Sequence, residues 1–267
     1  MAQASIGRPA LRPGKFAAVR RSCSRRSSMP MALSRALVKT TMPAPSAFHF
    51  FRLGQSVDAA AYPDLSQFFD DLVAVYRAEL TELARAGCRY VQFDEVAIAM
   101  LCDPDVCRQA KVQGGDPVAL LETYISLLRR IAADRPTHMR LGLHLCRGNF
   151  RGRWMAAGGC EPVAGKLFAE APVDNFLLEY DSARAGDFRP LRFLPRHKTA
   201  VLGLVSSKTP ATRRAGRPAA PHRSGRPRSS HRAARVVDAM RLCQRGRRQH
   251  PGGGRAVGQA RIGGGDG

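Results

Sequence analysis

His144 and Cys146 are the residues of this chain whose types and spacing point most directly to chemistry. In an extended strand, residues i and i+2 share a face, so an imidazole nitrogen and a thiolate two positions apart can bind one borderline ion such as Zn²⁺. Taken alone, the pair reads more readily as a buried cysteine beside a hydrogen-bonded histidine at a strand end. Glu179, at the end of the next apolar run, can add a third ligand from an adjacent position. Asp94 and Glu95 follow an earlier run, either as functional carboxylates or as a helix N-cap and its neighbour. Ser206, Ser207 and Lys208 follow the last run. Cys102 and Cys107 flank Asp103-Pro104 near metal-ligand spacing, without a second such pair close by. Arg147-Gly-Asn-Phe-Arg151 reads either as an anion-binding loop, through its glycine backbone and arginines, or as a solvated one.

The elements that must hold these residues alternate short apolar runs with longer amphipathic ones, the pattern of βα units and a parallel sheet. Strands are expected at Val38–Pro43, Arg89–Phe93, Arg140–Leu145, Asn175–Tyr180 and Thr199–Val205. Helices are expected at Asp64–Ala86, where Leu65, Phe68, Phe69, Leu72, Val75, Tyr76 and Leu80 fall at helical spacing, at Asp116–Ala133, and at Glu161–Ala169. The last two open on Asp-Pro and Glu-Pro, an N-cap followed by proline at the first helical position. Asp94, Glu95, His144, Cys146, Glu179, Asp181 and Lys208 then all lie at the carboxyl ends of strands. In α/β sheets and barrels that end carries the site.

The chain has 267 residues and a formal charge of +22, but the charge is uneven. Residues 1–36 hold eight Lys/Arg and no acid, and residues 210–267 hold 14 Arg, two Asp and no aromatic residue, whereas residues 37–209 are nearly neutral. The middle is long enough for one sizeable core; the ends have no apolar periodicity, so disorder is the physical expectation there. Their arginines can attract polyanions, and nucleic-acid binding through the basic ends is the reading from a different functional class, but no interleaved aromatics offer a stacking platform. No run of about 18 apolar residues is present, which excludes a membrane-spanning helix. The N-terminus lacks the apolar core of a secretory signal. Seven cysteines in a chain of this length do not make a disulfide scaffold, so reduced thiols in a cytoplasmic protein are expected.

Five ordered motifs carry a resemblance. Tyr90-Val-Gln-Phe-Asp94-Glu95, His144-Leu-Cys146-Arg-Gly-Asn-Phe150, Gly158-Gly-Cys-Glu-Pro162, Phe176-Leu-Leu-Glu179-Tyr-Asp181 and Leu202-Gly-Leu-Val-Ser-Ser-Lys-Thr209 resemble the cobalamin-independent methionine synthase family, more narrowly its short stand-alone branch. The resemblance covers about residues 37–209. It implies an α/β fold, a partial TIM (β/α)8 barrel with disordered basic ends, and one catalytic Zn²⁺. It also implies transfer of a methyl group from methyltetrahydrofolate, as the polyglutamate, to homocysteine. By resemblance, His144, Cys146 and Glu179 match the family's zinc ligands, and Asp94, beside Glu95, matches the aspartate that holds the homocysteine amino group. Zinc-dependent methyl transfer from a different donor is the alternative within the same fold. The implied partners are small molecules, with no specific nucleic acid and no membrane.

Three departures accompany the resemblance. The family's early strands, with a Gly-Ser loop, should precede residue 37, and residues 1–36 do not contain them. Lys208 stands where the family has a proton-donating histidine. The fourth ligand, a cysteine in a Gln-Cys-Gly-like motif, should lie beyond residue 209 and is missing. Ala239-Met-Arg-Leu-Cys-Gln244 can, however, be encoded by codons that read Gln-Cys-Gly-Phe-Ala one nucleotide later, and flanking segments likewise permit family-like sequence. Residues 210–267 are therefore expected to be out of frame, with Cys243 not the native ligand. In the printed frame a barrel lacking strands exposes sheet edges, so poor solubility and weak zinc binding are expected. Sequencing the source DNA across codons 200–267 tests this. A base gained or lost near codon 210 is the expected result, and an intact frame would refute the shift.

Overall fold

The computed structural model describes residues 36–53, 57–149, 152–206 and 208. The expectations for the first 35 residues, for the tail from 209 onward with Cys243, and for Phe150, Arg151 and Ser207 lie outside the described residues. What is described is an α/β fold with five parallel strands: β1 (Thr40–Pro43), β2 (Tyr90–Glu95), β3 (Arg140–Leu145), β4 (Asn175–Glu179) and β5 (Thr199–Gly203). Their order across the sheet is the order in the sequence. Every neighbouring pair is parallel, so each connection crosses back over the same face. An unswitched order of this kind is that of consecutive (β/α) units of a TIM barrel rather than of a doubly wound sheet.

The helices are α1 (Ala47–Phe50), α2 (Leu65–Arg85), α3 (Ala97–Met100), α4 (Pro104–Val112), α5 (Pro117–Ala132) and α6 (Glu161–Glu170). Aspartates start three of them. Asp64 accepts from the Ser66 backbone N–H at 2.8 Å, Asp103 from that of Asp105 at 2.8 Å, and Asp116 from that of Ala119 at 3.2 Å. The Glu-Pro start expected for α6 is displaced by one residue. Cys160 is the N-cap, Glu161 is already helical, and no side chain caps the turn.

Strand alternation divides the residues into two layers. Phe93, Leu143 and Phe176 lie side by side in register and pack under the helices, Phe93 against Tyr76 of α2 and Phe176 against Phe168 of α6 with ring centroids 4.8 Å apart. Asp94, His144 and Leu177 form the next rank, on the opposite face. Strand β2 runs two residues further than the apolar pattern suggests. Asp94 and Glu95 are therefore its last two residues rather than its sequel, because they continue the ladder opposite His144 and Leu145.

Leu143, at the centre of the sheet, is fully buried. Leu143→Ala should lower the unfolding free energy by about 2–5 kcal/mol in urea titrations with an unchanged slope. A loss of under about 0.5 kcal/mol, the range of surface substitutions, would contradict this packing.

Candidate metal and amino-acid site

Registry brings three ligand-bearing side chains together. Asp94 at the end of β2, His144 on β3 and Cys146 just past it have ligand atoms all within 4.8 Å of one another. The His144 Nε2 stands 3.6 Å from Asp94 Oδ1, too far for a hydrogen bond. That Oδ1 is sheltered from solvent and has no hydrogen-bond partner, although the Asp94 side chain as a whole is 46% exposed. A buried carboxylate oxygen without a donor is a place for a cation or an ammonium group. Burial lowers the His144 pKa, against the opposing pull of Asp94 and Glu179, which favours the neutral imidazole that binds metals. Burial also pushes the Cys146 thiol up to about 11, with Asp94 acting in the same direction. Cys146 thus keeps its proton unless a cation takes its place.

Glu179 lies outside this group and is bound into another. Its Oε2 accepts from the Arg147 backbone N–H at 2.6 Å, and its Oε1 accepts from Arg184 Nη2 at 2.6 Å and from Lys208 Nζ. The Glu179 and Lys208 side chains are each 2% exposed. Burial works to raise the Glu179 pKa, but the hydrogen bonds from Arg184, Lys208 and Arg147 outweigh it and hold the carboxyl at about 2. Asp181 lies beside the same cations, 3.1 Å from Arg184 and 4.0 Å from Lys208.

Glu95 points the other way. It is completely buried on the helix side, accepting from Ser46 Oγ at 2.6 Å and from the Ile98 backbone N–H at 2.9 Å. Its carboxylate meets the first turn of α3, but the N-cap position there is Val96, so neither Asp94 nor Glu95 is the N-cap residue of the alternative reading. Arg147, grouped by sequence with a surface loop, is also fully buried. Cys107 donates to the Leu101 carbonyl at 3.2 Å, and neither it nor Cys102 enters a group of three potential ligands among the described residues. Sequence reasoning missed Arg184, which shares no motif with Glu179, and Ser46, whose link to Glu95 spans 49 positions.

No family model matches this chain. It is 35% identical over 171 residues to the uncharacterized Bacillus subtilis protein YxjH, covering 64% of this chain and 45% of that one. It is 28% identical over 142 residues to a methionine synthase of Pyrococcus furiosus, covering 53% of this chain and 32% of that protein. Among solved structures, a putative vitamin-B12 independent methionine synthase from Listeria monocytogenes superposes with a TM-score of 0.50 at 28% identity, covering 66% of this chain and 48% of the other. The chain thus spans less than half the length of these relatives.

The buried Glu95 yields a pH signature. Burial, only partly offset by the bonds from Ser46 and Ile98, raises its pKa from 4.5 to about 7. Between those values the folded chain binds the proton more tightly than the unfolded chain, so stability should fall as pH rises through this window, by up to about 3 kcal/mol. Glu95→Gln, followed by denaturation at several pH values, should flatten that slope. An unchanged slope would count against a carboxyl that folds protonated.

Proposed function

Because the chain belongs to the cobalamin-independent methionine synthase family, we propose that its rim is the zinc and homocysteine half of a methyltransferase site, with 5-methyltetrahydrofolate as methyl donor and methionine as product. The observation that carries this reading is the convergence of Asp94, His144 and Cys146 around an unpartnered carboxylate oxygen. The nitrogen of His144 and the sulfur of Cys146 suit Zn²⁺, and the unpartnered Asp94 oxygen beside them suits the ammonium group of an amino-acid substrate. The same proposal puts the protein in the cytoplasm, a reading supported by its buried free thiols.

His144 and Cys146 would hold the ion, with Glu179 as the further ligand. When bound, zinc acts as a Lewis acid that lowers a thiol pKa, so that the homocysteine sulfur is a thiolate at neutral pH. The chain's own residues prepare that chemistry. His144 is kept neutral by burial. Cys146 can ligate only by releasing its proton, so zinc uptake should release protons and weaken as pH falls. Glu179 is already ionised, and reaching the ion requires it to leave Lys208 and Arg184. Asp94 would receive the substrate ammonium on its free Oδ1. Lys208, freed from Glu179, is assigned the proton delivered to the departing folate nitrogen.

The test separates these roles with Co²⁺ or Zn²⁺ titrations of the full chain, read by thiolate-to-cobalt absorption and by chelator competition. Cys146→Ser should abolish the charge-transfer band. His144→Ala should weaken zinc by more than the roughly 10–100-fold that loss of an outer-shell partner costs. Asp94→Asn should retain the metal and lose homocysteine binding. Metal uptake unaffected by both His144→Ala and Cys146→Ser would defeat the proposal. Zinc and homocysteine binding without methyl transfer from 5-methyltetrahydrofolate would point to another donor.

A further inference from the structure

Behind the rim lies a second sulfur site that the methyl-transfer reading does not use. Arg147 is fully buried, yet no carboxylate lies within ion-pair distance of its guanidinium among the described residues. Its N–H groups go to three carbonyls and a sulfur. Nε and Nη2 donate to the Gly158 carbonyl at 3.0 and 2.6 Å, Nη1 to that of Glu179 at 3.2 Å, and Nη2 also to that of Ala185 at 3.4 Å and to Cys160 Sγ at 3.2 Å. A buried guanidinium requires a counter-charge. Cys160 is the ionisable group that it touches.

The Cys102 side chain lies beside Cys160 and both cysteines are buried; the Cys102 thiol donates to the Ile98 carbonyl at 3.9 Å, whereas Cys160 Sγ accepts from Arg147. Their segments are pressed together. The Gly158 φ is +119°, and a Cβ there would stand 2.3 Å from the Cys102 carbonyl oxygen, while the Ala157 backbone N–H donates to Asp103 Oδ2 at 2.7 Å. The neighbouring Cys102 and the guanidinium of Arg147 lower the Cys160 pKa against burial, while the contact with Cys160 and burial raise that of Cys102; the guanidinium N–H 3.2 Å from Cys160 Sγ marks which of the two sulfurs carries the charge. One sulfur is set up as an anion and its neighbour as a proton-bearing thiol, the asymmetry of a nucleophile and its resolving partner.

We propose that Cys160 and Cys102 form a hydroperoxide-reactive thiol pair, in which Cys160 is the thiolate held by Arg147 and Cys102 is the resolving thiol. The Cys160 sulfur attacks one peroxide oxygen, the O–O bond breaks, and with one proton the leaving hydroxide departs as water, leaving a sulfenic acid. The Cys102 sulfur then displaces the sulfenic hydroxyl, which leaves as water with the Cys102 proton. The two sulfurs are oxidised to a disulfide, and the peroxide is reduced to two waters. The bond ties the start of α6 to the segment between α3 and α4. This proposal does not depend on zinc or on methyl transfer.

Peroxide treatment of the full-length chain carrying Cys107→Ser, which removes the third thiol nearby, tests it. The protein is quenched with a maleimide under denaturing conditions, digested with trypsin and mapped by mass spectrometry. The expected product joins peptide 90–108 to peptide 154–166 and is lighter than their sum by two hydrogens. It should be absent from Cys160→Ser and Cys102→Ser, and the latter should accumulate a dimedone-reactive Cys160. The oxidation rate should change less than about threefold between pH 7 and 8.5, whereas an ordinary thiol with a pKa near 8.5 gains more than about tenfold. The unsubstituted chain, which carries no folding risk, should show Cys160 oxidised before Cys146. Cys160 recovered fully alkylated after peroxide, or oxidised no faster than Cys146 and with a steep pH dependence, would overturn the proposal.

Discussion

The lateral match of Asp94 with His144 across β2 and β3 is the constraint on which the site depends. Parallel pairing fixes which residues stand side by side, and strand alternation then fixes which share a face. Sliding β2 by one residue would exchange Asp94 for Glu95 at the rim, placing a buried carboxylate beside the imidazole and leaving Asp94 under the helices. Several apolar contacts prevent that slip. Phe93 would turn from beneath α2 to the rim face, and Leu143, which stays packed beside Phe176 under the helices, would lose its in-register neighbour. The chemistry of the rim is positioned by hydrophobic packing one layer below it.

Above that layer the governing problem is buried charge. Glu179 and Lys208 are nearly inaccessible and answer one another, with Arg184 and Asp181 extending the network. Removing one member of such a set costs more than the set contributes, since the remaining charge is left without compensation. The network therefore holds the ends of β4 and the segment after β5 in one geometry. It also sets the condition for any ligand: a cation that takes Glu179 must exchange with Lys208 and Arg184 rather than add to an open carboxylate. Arg147 meets the same requirement with a sulfur and three carbonyls.

Much of this architecture was legible from patterning. Arg140–Leu145 coincides with the expected strand, and the aspartate caps mark helix starts, because both signals are local. The strand-end placement of His144, Cys146 and Glu179 was legible for the same reason. What was not legible depends on contacts distant in the sequence. The extension of β2 through Asp94 and Glu95 comes from pairing with β3, and Glu95 turns inward because the pleat leaves it opposite Leu145. The pairing of Glu179 with Lys208 joins residues 29 positions apart, and no spacing rule announces it. The segment that begins at Arg147 reads as an anion-binding or a solvated loop, and its burial comes from partners distant in the sequence: the carbonyls of Gly158, Glu179 and Ala185 and the sulfur of Cys160.

X-ray absorption at the zinc edge, on the zinc-loaded full chain with and without homocysteine, tests the central claim most directly. The account predicts one sulfur at about 2.3 Å with nitrogen and oxygen at about 2.0–2.2 Å, and a second sulfur when homocysteine is added. A shell of nitrogen and oxygen alone, or a sulfur count unchanged by homocysteine, would contradict it.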